Sequence, residues 1–134
     1  MYLVDTNVWL ERLLDQARSG KVGRFLDQTP SASLSVSDFA FHSICLVMTR
    51  LGQAKALLRL VEDAFVDNAV SLVHLGPEDM SRLVEAMERF RLDFDDAYQY
   101  TVAEKHDLIL VSFGGDFDRT DRGRQTPAEA CGKI

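Results

Sequence analysis

The sequence predicts an α/β fold with a central, mostly parallel sheet of about four to five short strands flanked by helices. Short apolar runs alternate along the chain with longer segments of helical periodicity, and strands separated by helices imply βαβ units. The run Leu108-Ile109-Leu110-Val111 is apolar without alternation, which is typical of a parallel strand covered on both faces. The chain has 134 residues, 46% of them hydrophobic, which is enough for one core, so we expect a single domain over residues 1–134.

The first predicted strand lies at the N-terminus and leads directly into a helix. The apolar run Met1-Tyr2-Leu3-Val4 ends in Asp5-Thr6-Asn7. We expect Thr6 or Asn7 to cap the helix, because their side-chain oxygens can accept from the free backbone N–H groups of its first turn. Apolar residues at mostly helical spacing predict a helix over 7–18, and we expect Ser19-Gly20 to end it. A short helix over 21–28 is predicted next.

The rest of the chain continues the alternation of helices and strands. The predicted elements are a strand over 33–36, helices over 39–51 and 53–66, a strand over 70–75, helices over 77–91 and 97–106, and a strand over 108–111. Pro77 followed by Glu78 and Asp79 is a typical helix start, because proline suits the first helical position and acids favour the first turn. The polar C-terminal segment contains Pro127, which predicts a last short turn.

Composition narrows the class of protein. The formal net charge is -6 and the pI is about 5.0, so no overall positive field attracts nucleic acid or anionic membrane. The two cysteines, Cys45 and Cys131, predict neither a disulfide framework nor a zinc site, which favours a reducing cytoplasm. No signal peptide or apolar run of membrane length is apparent. We therefore expect a soluble cytoplasmic protein without a membrane partner.

Carboxylates recur where strands end. Asp5 ends the first strand, Asp38 lies between the second strand and its helix, Asp96 opens a helix and Asp116 follows the last strand. The carboxyl ends of parallel strands share one edge, where ligands bind in open α/β sheets. Crowded carboxylates repel one another unless a cation such as Mg²⁺ or Mn²⁺ binds between them. The alternative is that Asp5 is a turn or capping residue and that Asp38 and Asp96 are N-caps.

Three short motifs in this order resemble a known family. Val4-Asp5-Thr6-Asn7, Asp96-Ala97, and Val111-Ser112 followed by Asp116-Phe117 are similar to the PIN-domain ribonucleases, specifically VapC-like toxins of type II toxin–antitoxin systems. The resemblance covers nearly the whole chain. It implies a PIN-like fold, an acidic cluster that binds Mg²⁺ or Mn²⁺, endonucleolytic cleavage of RNA, homodimers and a cognate antitoxin.

The chain departs from the family pattern at two positions. The family usually has a glutamate early in the helix after the second strand, where this chain has Phe41-His42-Ser43; we expect Ser43 or His42 to face the site instead, with Asp38 as a possible source of the missing charge. The family's last acid usually lies two residues after the Ser or Thr that ends the final strand. Here that position is Gly114, and the nearest acid is Asp116.

These considerations give a set of candidate site residues. The candidate catalytic residues are Asp5, Asp96, Asp116 and Asp38; the candidate metal ligands are Asp5, Asp96 and Asp116; and the residues expected to orient water or substrate are Thr6, Asn7, Ser43 and Ser112. The favoured hypothesis is metal-assisted hydrolysis of RNA. A second is a catalytically weakened PIN domain that binds RNA or an antitoxin. A third, a phosphohydrolase for small phosphate esters, lacks a Gly-rich phosphate loop or an Asp-x-Asp motif.

Overall fold

The computed structural model of the protein describes residues 1–66 and 70–132. Its strands are β1 (Tyr2–Val4), β2 (Leu34–Ser37), β3 (Ser71–Val73) and β4 (Ile109–Val111). Its α-helices are α1 (Thr6–Leu13), α2 (Ser19–Gln28), α3 (Asp38–Arg50), α4 (Ala54–Leu60), α5 (Met80–Phe90), α6 (Phe94–His106) and α7 (Pro127–Cys131). A π-helical turn (Val61–Val66) extends α4, and 3-10 turns cover Ser31–Ser33, Pro77–Asp79 and Gly115–Arg119.

The four strands form one parallel sheet in the order β3-β2-β1-β4, which confirms the predicted α/β fold class. The chain proceeds from β1 to β2 and β3 on one side and then returns to add β4 on the other side of β1. The order of the strands therefore reverses between β1 and β4. A crevice forms at such a switch point, outside the carboxyl ends of the strands.

The side chains of neighbouring strands alternate between the two faces of the sheet. Leu3 and Leu110 are paired in register and pack in a core with helices α5 and α6. Val4 and Val111, also paired, face the opposite core, to which α1, α2, α3 and α7 contribute. Helices thus cover both faces, and the sheet positions the residues that follow each strand.

The structure corrects several predicted boundaries. The helix predicted over 7–18 already ends at Leu13, and Ser19 begins α2 instead of ending α1. The buried Glu11 carboxylate accepts from the Arg18 backbone N–H at 2.9 Å and stabilises the turn between α1 and α2. Within this turn, Asp15 adopts a left-handed conformation with φ of 50°. The segment predicted as one helix over 53–66 is divided between α4 and the π-helical turn.

Two further corrections concern the C-terminal half. Helix α6 begins at Phe94 instead of Ala97, because the Asp93 side chain caps it by accepting from the Asp96 N–H. The prediction that β4 is covered on both faces is confirmed for Leu110 and Val111, which are buried in opposite cores, but it is wrong for Ile109 at the start of the strand, which is 41% exposed. Pro127 begins the short helix α7, with Thr126 and Glu129 forming its capping box. Among the described residues, the structure has no helix of sufficient length and apolarity to cross a membrane.

Candidate active site at the carboxyl edge of the sheet

A cavity of about 280 Å³ opens at the switch point, and we call it the acidic cleft. Its lining combines carboxylates, other polar side chains and two apolar ones. The lining residues are Asp5, Thr6, Asn7, Leu10, Phe39, Ser43, Asp95, Asp96 and Gln99. They come from Asp5 at the end of β1 and from the first two turns of α1, α3 and α6.

Asp5 is fixed at the end of β1, and only 8% of it is exposed. Its backbone N–H donates to the Val111 carbonyl at 2.9 Å and continues the pairing with β4. Its Oδ1 accepts from the Thr6 N–H at 2.8 Å and from Gln99 Nε2 at 2.9 Å, and its Oδ2 accepts from Ser112 Oγ at 2.7 Å. Asp5 is therefore the N-cap of α1, so the expectation that Thr6 or Asn7 caps this helix is wrong. The same hydrogen bonds hold its carboxylate in one orientation in the cleft.

Ser112 and Asn7 support Asp5 from the β4 side. Besides donating to Asp5, Ser112 Oγ accepts from the Gly114 N–H at 2.9 Å and from Asn7 Nδ2 at 3.3 Å. The Asn7 Oδ1 accepts from the Phe113 N–H at 3.3 Å. The Asp5, Asn7 and Ser112 side chains are thus joined in one hydrogen-bonded group at the switch point.

Asp96 lies in the first turn of α6 and lines the same cleft. Burial raises its pKa from 3.8 to about 6, and the negative charges of Asp93, Asp5, Asp116 and Asp95 add to the shift. The charges of Asp5 and Asp116 therefore act on Asp96 and make its ionised form less favourable. A nearby cation would favour the ionised form, so this part of the cleft suits a positive charge.

We expect Asp96→Asn to stabilise the protein at pH 7.5 in EDTA. Because the pKa of Asp96 is raised in the folded state, its contribution to the free energy of unfolding is fully present at low pH and is lost as the pH rises from 3.8 through about 6. The neutral amide removes this loss; the full shift corresponds to ~3 kcal/mol, which partial exposure reduces to about 1 kcal/mol. Urea unfolding at pH 7.5 and pH 5 measures the effect, which should shrink at pH 5.

Asp27→Asn, at an exposed position on α2 outside the cleft, is the control for this substitution. Its effect on the free energy of unfolding should be close to zero at both pH values. A loss of stability in Asp96→Asn at pH 7.5 would contradict the expectation that the ionised Asp96 carboxylate destabilises the folded protein.

Asp116 and Asp38 do not line the cleft. Asp116, whose side chain is 61% exposed, forms an ion pair with Arg119 at 2.9 Å. Arg119 also donates to the Phe90 and Arg91 carbonyls at the end of α5, so it fixes the position of Asp116. Asp116 therefore reaches the acidic cluster through its charge and not by contact with the cleft.

Asp38 is the first residue of α3, and its carboxylate is already engaged. It accepts from the Phe39 N–H at 2.8 Å and from the Tyr98 hydroxyl at 2.7 Å. Burial raises the pKa of Tyr98 to about 12, so this hydroxyl stays protonated and donates. The alternative that Asp38 and Asp96 act as N-caps is wrong, because the capping side chains are Ser37 and Asp93.

Where the family usually has a glutamate, the cleft has a hydroxyl. Ser43 lines the cleft, whereas His42 is exposed on α3. The cleft therefore contains the carboxylates Asp5, Asp95 and Asp96 and no acid from α3.

Sequence reasoning missed Gln99 and Asp95. Gln99 lies three residues after Asp96 on α6, which places both on the same side of the helix. That spacing was an available sign that Gln99 lies near the site, although it does not identify the hydrogen-bond partners of the amide. Asp95 belongs to the acidic run 93–96, from which the sequence analysis singled out Asp96 alone.

The cleft suits a hydrated divalent cation. The groups in the cleft that could bind a metal ion are carboxylate, hydroxyl and amide oxygens, which Mg²⁺ and Mn²⁺ prefer as ligands. In residues 1–66 and 70–132, no three Asp, Glu, His or Cys side chains are grouped so that they could hold an ion alone. Mg²⁺ commonly binds through one or two carboxylates and keeps several waters, so Asp5 and Asp96 fit that mode.

Fold and cleft together define an α/β protein with an acidic site at the switch point of a parallel sheet. The PIN domain family model matches residues 2–123. The chain therefore belongs to the PIN domain family, which confirms the resemblance drawn from the three motifs. A search of curated proteins finds no match.

Solved structures share this fold at low sequence identity. A toxin–antitoxin complex from Klebsiella pneumoniae aligns with a TM-score of 0.75 and 19% identity, over 96% of this chain and 99% of that one. Mycobacterium tuberculosis VapC20, a sarcin–ricin loop cleaving toxin, aligns with a TM-score of 0.72 and 20% identity, over 88% of this chain and 93% of that one. FitAB bound to an IR36 DNA fragment gives 0.78 and 19%, over 96% of both chains. At these identities the likeness establishes the fold.

Proposed function

We propose that the protein is a metal-dependent endoribonuclease, a VapC-like toxin that hydrolyses RNA phosphodiester bonds. The observation that carries the proposal is the pairing of Asp5 and Asp96 in one cleft, with Asp5 held by three donors. Membership of the PIN domain family and the fold shared with VapC20, a sarcin–ricin loop cleaving toxin, support it.

The residues of the cleft have distinct roles in this proposal. Asp5 and Asp96 would hold Mg²⁺ or Mn²⁺, which when bound acidifies a coordinated water and offsets phosphodiester charge. Thr6, Asn7 and Ser43 line the cleft and can hydrogen-bond water or phosphate, while Ser112 orients Asp5. A bound cation reverses the local sign of the field, which allows an acidic protein to accept RNA.

The proposed function implies protein partners and a location in the cell. Because two of the similar structures are a toxin–antitoxin complex and FitAB bound to a DNA fragment, we propose a cognate antitoxin that blocks the cleft. We also propose a homodimer and a cytoplasmic location, the latter in keeping with the free cysteines Cys45 and Cys131.

A specific observation favours the second candidate, a catalytically weakened PIN domain that binds RNA or an antitoxin. Gly114 contributes no side chain, and Asp116, the acid nearest to it, is engaged by Arg119. The cleft thus lacks a carboxylate from the β4 side among its lining residues.

Cleavage of a defined RNA panel distinguishes the two candidates. Purified protein is incubated with structured RNAs, including a sarcin–ricin loop hairpin, in Mg²⁺, Mn²⁺ or EDTA. The endoribonuclease proposal expects internal cuts with either metal and none in EDTA, together with a rise in the unfolding temperature on metal addition. RNA that is bound but left intact with both metals would contradict it and support the binding protein.

A further inference from the structure

Gln99 is almost completely buried at the base of the acidic cleft, with 2% of its surface exposed. A buried amide without partners costs several kilocalories per mole, so both of its ends need hydrogen bonds. Both ends have them. Gln99 Oε1 accepts from the Ser37 hydroxyl at 2.6 Å, and Nε2 donates to Asp5 Oδ1 at 2.9 Å.

The direction of this amide is determined by its two neighbours. The Asp5 carboxylate is only an acceptor when ionised, so the reversed amide would place two acceptor oxygens against each other. Ser37 Oγ accepts from the Ala40 N–H at 3.0 Å as the N-cap of α3, and its own proton is donated to Gln99. The cap of α3 and the carboxylate of β1 therefore fix the amide between them.

The amide adds no charge to a cluster that is already crowded. A carboxylate at this position would face Asp5 and add to the repulsion on Asp96, whereas the neutral Nε2 donor lies against Asp5. With the Thr6 N–H and Ser112 Oγ, it completes a set of three donors that come from α1, α6 and the end of β4. Of these donors, Gln99 alone links Asp5 to the helix that carries Asp96.

We propose that Gln99 is a positioning residue for the metal site, which holds the Asp5 carboxylate in its orientation within the acidic cleft through the relay Ser37–Gln99–Asp5. The inference rests on the proposed function, because it assigns Gln99 to support of a metal ligand. Residues that support a metal ligand through hydrogen bonds commonly change metal affinity by about 10- to 100-fold when replaced.

Mn²⁺ affinity, measured by electron paramagnetic resonance without RNA, tests this role. Gln99→Met keeps the length of the side chain and removes the donor; we expect affinity to fall at least about 10-fold. Thr101→Val is the matched control, since Thr101 is also buried on α6 and, in the described part of the chain, its Oγ1 has no partner. The control should bind Mn²⁺ like the unmodified protein.

A second variant keeps the test decisive if Gln99→Met does not fold. Gln99→Glu retains the size and the Ser37 contact but turns an acceptor toward Asp5. We expect weaker Mn²⁺ binding; stronger binding, as an added negative charge alone would give, would overturn the proposal. Unchanged affinity in Gln99→Met, or no Mn²⁺ binding by the unmodified protein, would also overturn it. Mn²⁺ binding without RNA cleavage would refute the proposed nuclease and still allow the role of Gln99 to be tested.

Discussion

Asp5→Asn is expected to lower the rate of metal-dependent RNA cleavage by more than about 100-fold. Replacing a residue that only supports a metal ligand costs up to about 100-fold, and loss of a ligand itself should cost more. Asparagine removes the negative charge. It also places an amide NH₂ group against donors that now point at carboxylate oxygens, namely those of Thr6, Gln99 and Ser112. Initial cleavage rates on the most sensitive RNA of the panel measure the effect.

The control for this variant is Asp27→Asn, which removes a carboxylate from the exposed side of α2. It should cleave at the rate of the unmodified protein. Circular dichroism and the unfolding temperature establish that Asp5→Asn is folded. Full cleavage by folded Asp5→Asn would exclude the acidic cleft as the catalytic site.

The opposite effect is expected of Gly114→Asp, which should raise cleavage or Mn²⁺ affinity by about 10-fold or more. Gly114 has φ of -75° and ψ of 114°, an ordinary conformation for any residue. A Cβ at this position would lie 3.3 Å from Ser112 Oγ, which itself donates to Asp5. The new side chain would therefore start next to the acidic cleft and would supply a carboxylate from the β4 side, where the lining residues include no carboxylate.

The fit at Gly114 is tight but can be accommodated. The added Cβ would also lie 3.4 Å from the Phe117 ring, so small shifts of this ring or of Ser112 are needed. Gly115→Asp is the matched control: it adds the same charge one residue later, where a Cβ has nothing closer than Arg124 at 4.0 Å. Equal gains in both variants would show that charge alone acts, and no gain in a folded Gly114→Asp would contradict the role assigned to this position.

The sequence was sufficient where local pattern and tertiary structure agree. Apolar runs predicted β1 and β4, and the polar residues after them placed Asp5 and Ser112 at one edge because parallel strands share their carboxyl ends. The end of α1 could not be predicted, since the apolar spacing continues to Ala17. What ends the helix is a buried carboxylate, Glu11, bonded to the Arg18 N–H.

The candidate site could be predicted only in part, because contacts between distant residues decide which side chains line the cleft. Asp5 and Asp96 could be predicted from their motifs and positions. Whether Asp38 and Asp116 line the cleft depends on Tyr98 and Arg119, which engage them across 60 and 3 residues of sequence. Gln99 was missed because its partners, Ser37 and Asp5, lie on other elements, and helical spacing gives no indication of what an amide contacts.

The partners of Asp5 lie far along the chain: Gln99 is 94 residues away and Ser112 is 107. During synthesis the ribosome releases Asp5 early and these partners late, and contacts over such separations form slowly. A nascent chain that stops before β4 lacks both the Ser112 donor and the strand that pairs with β1. Under the proposed function, a translation product that stops before β4 would be harmless to the RNA around it, and the nuclease would become active only after β4 and Ser112 have been made.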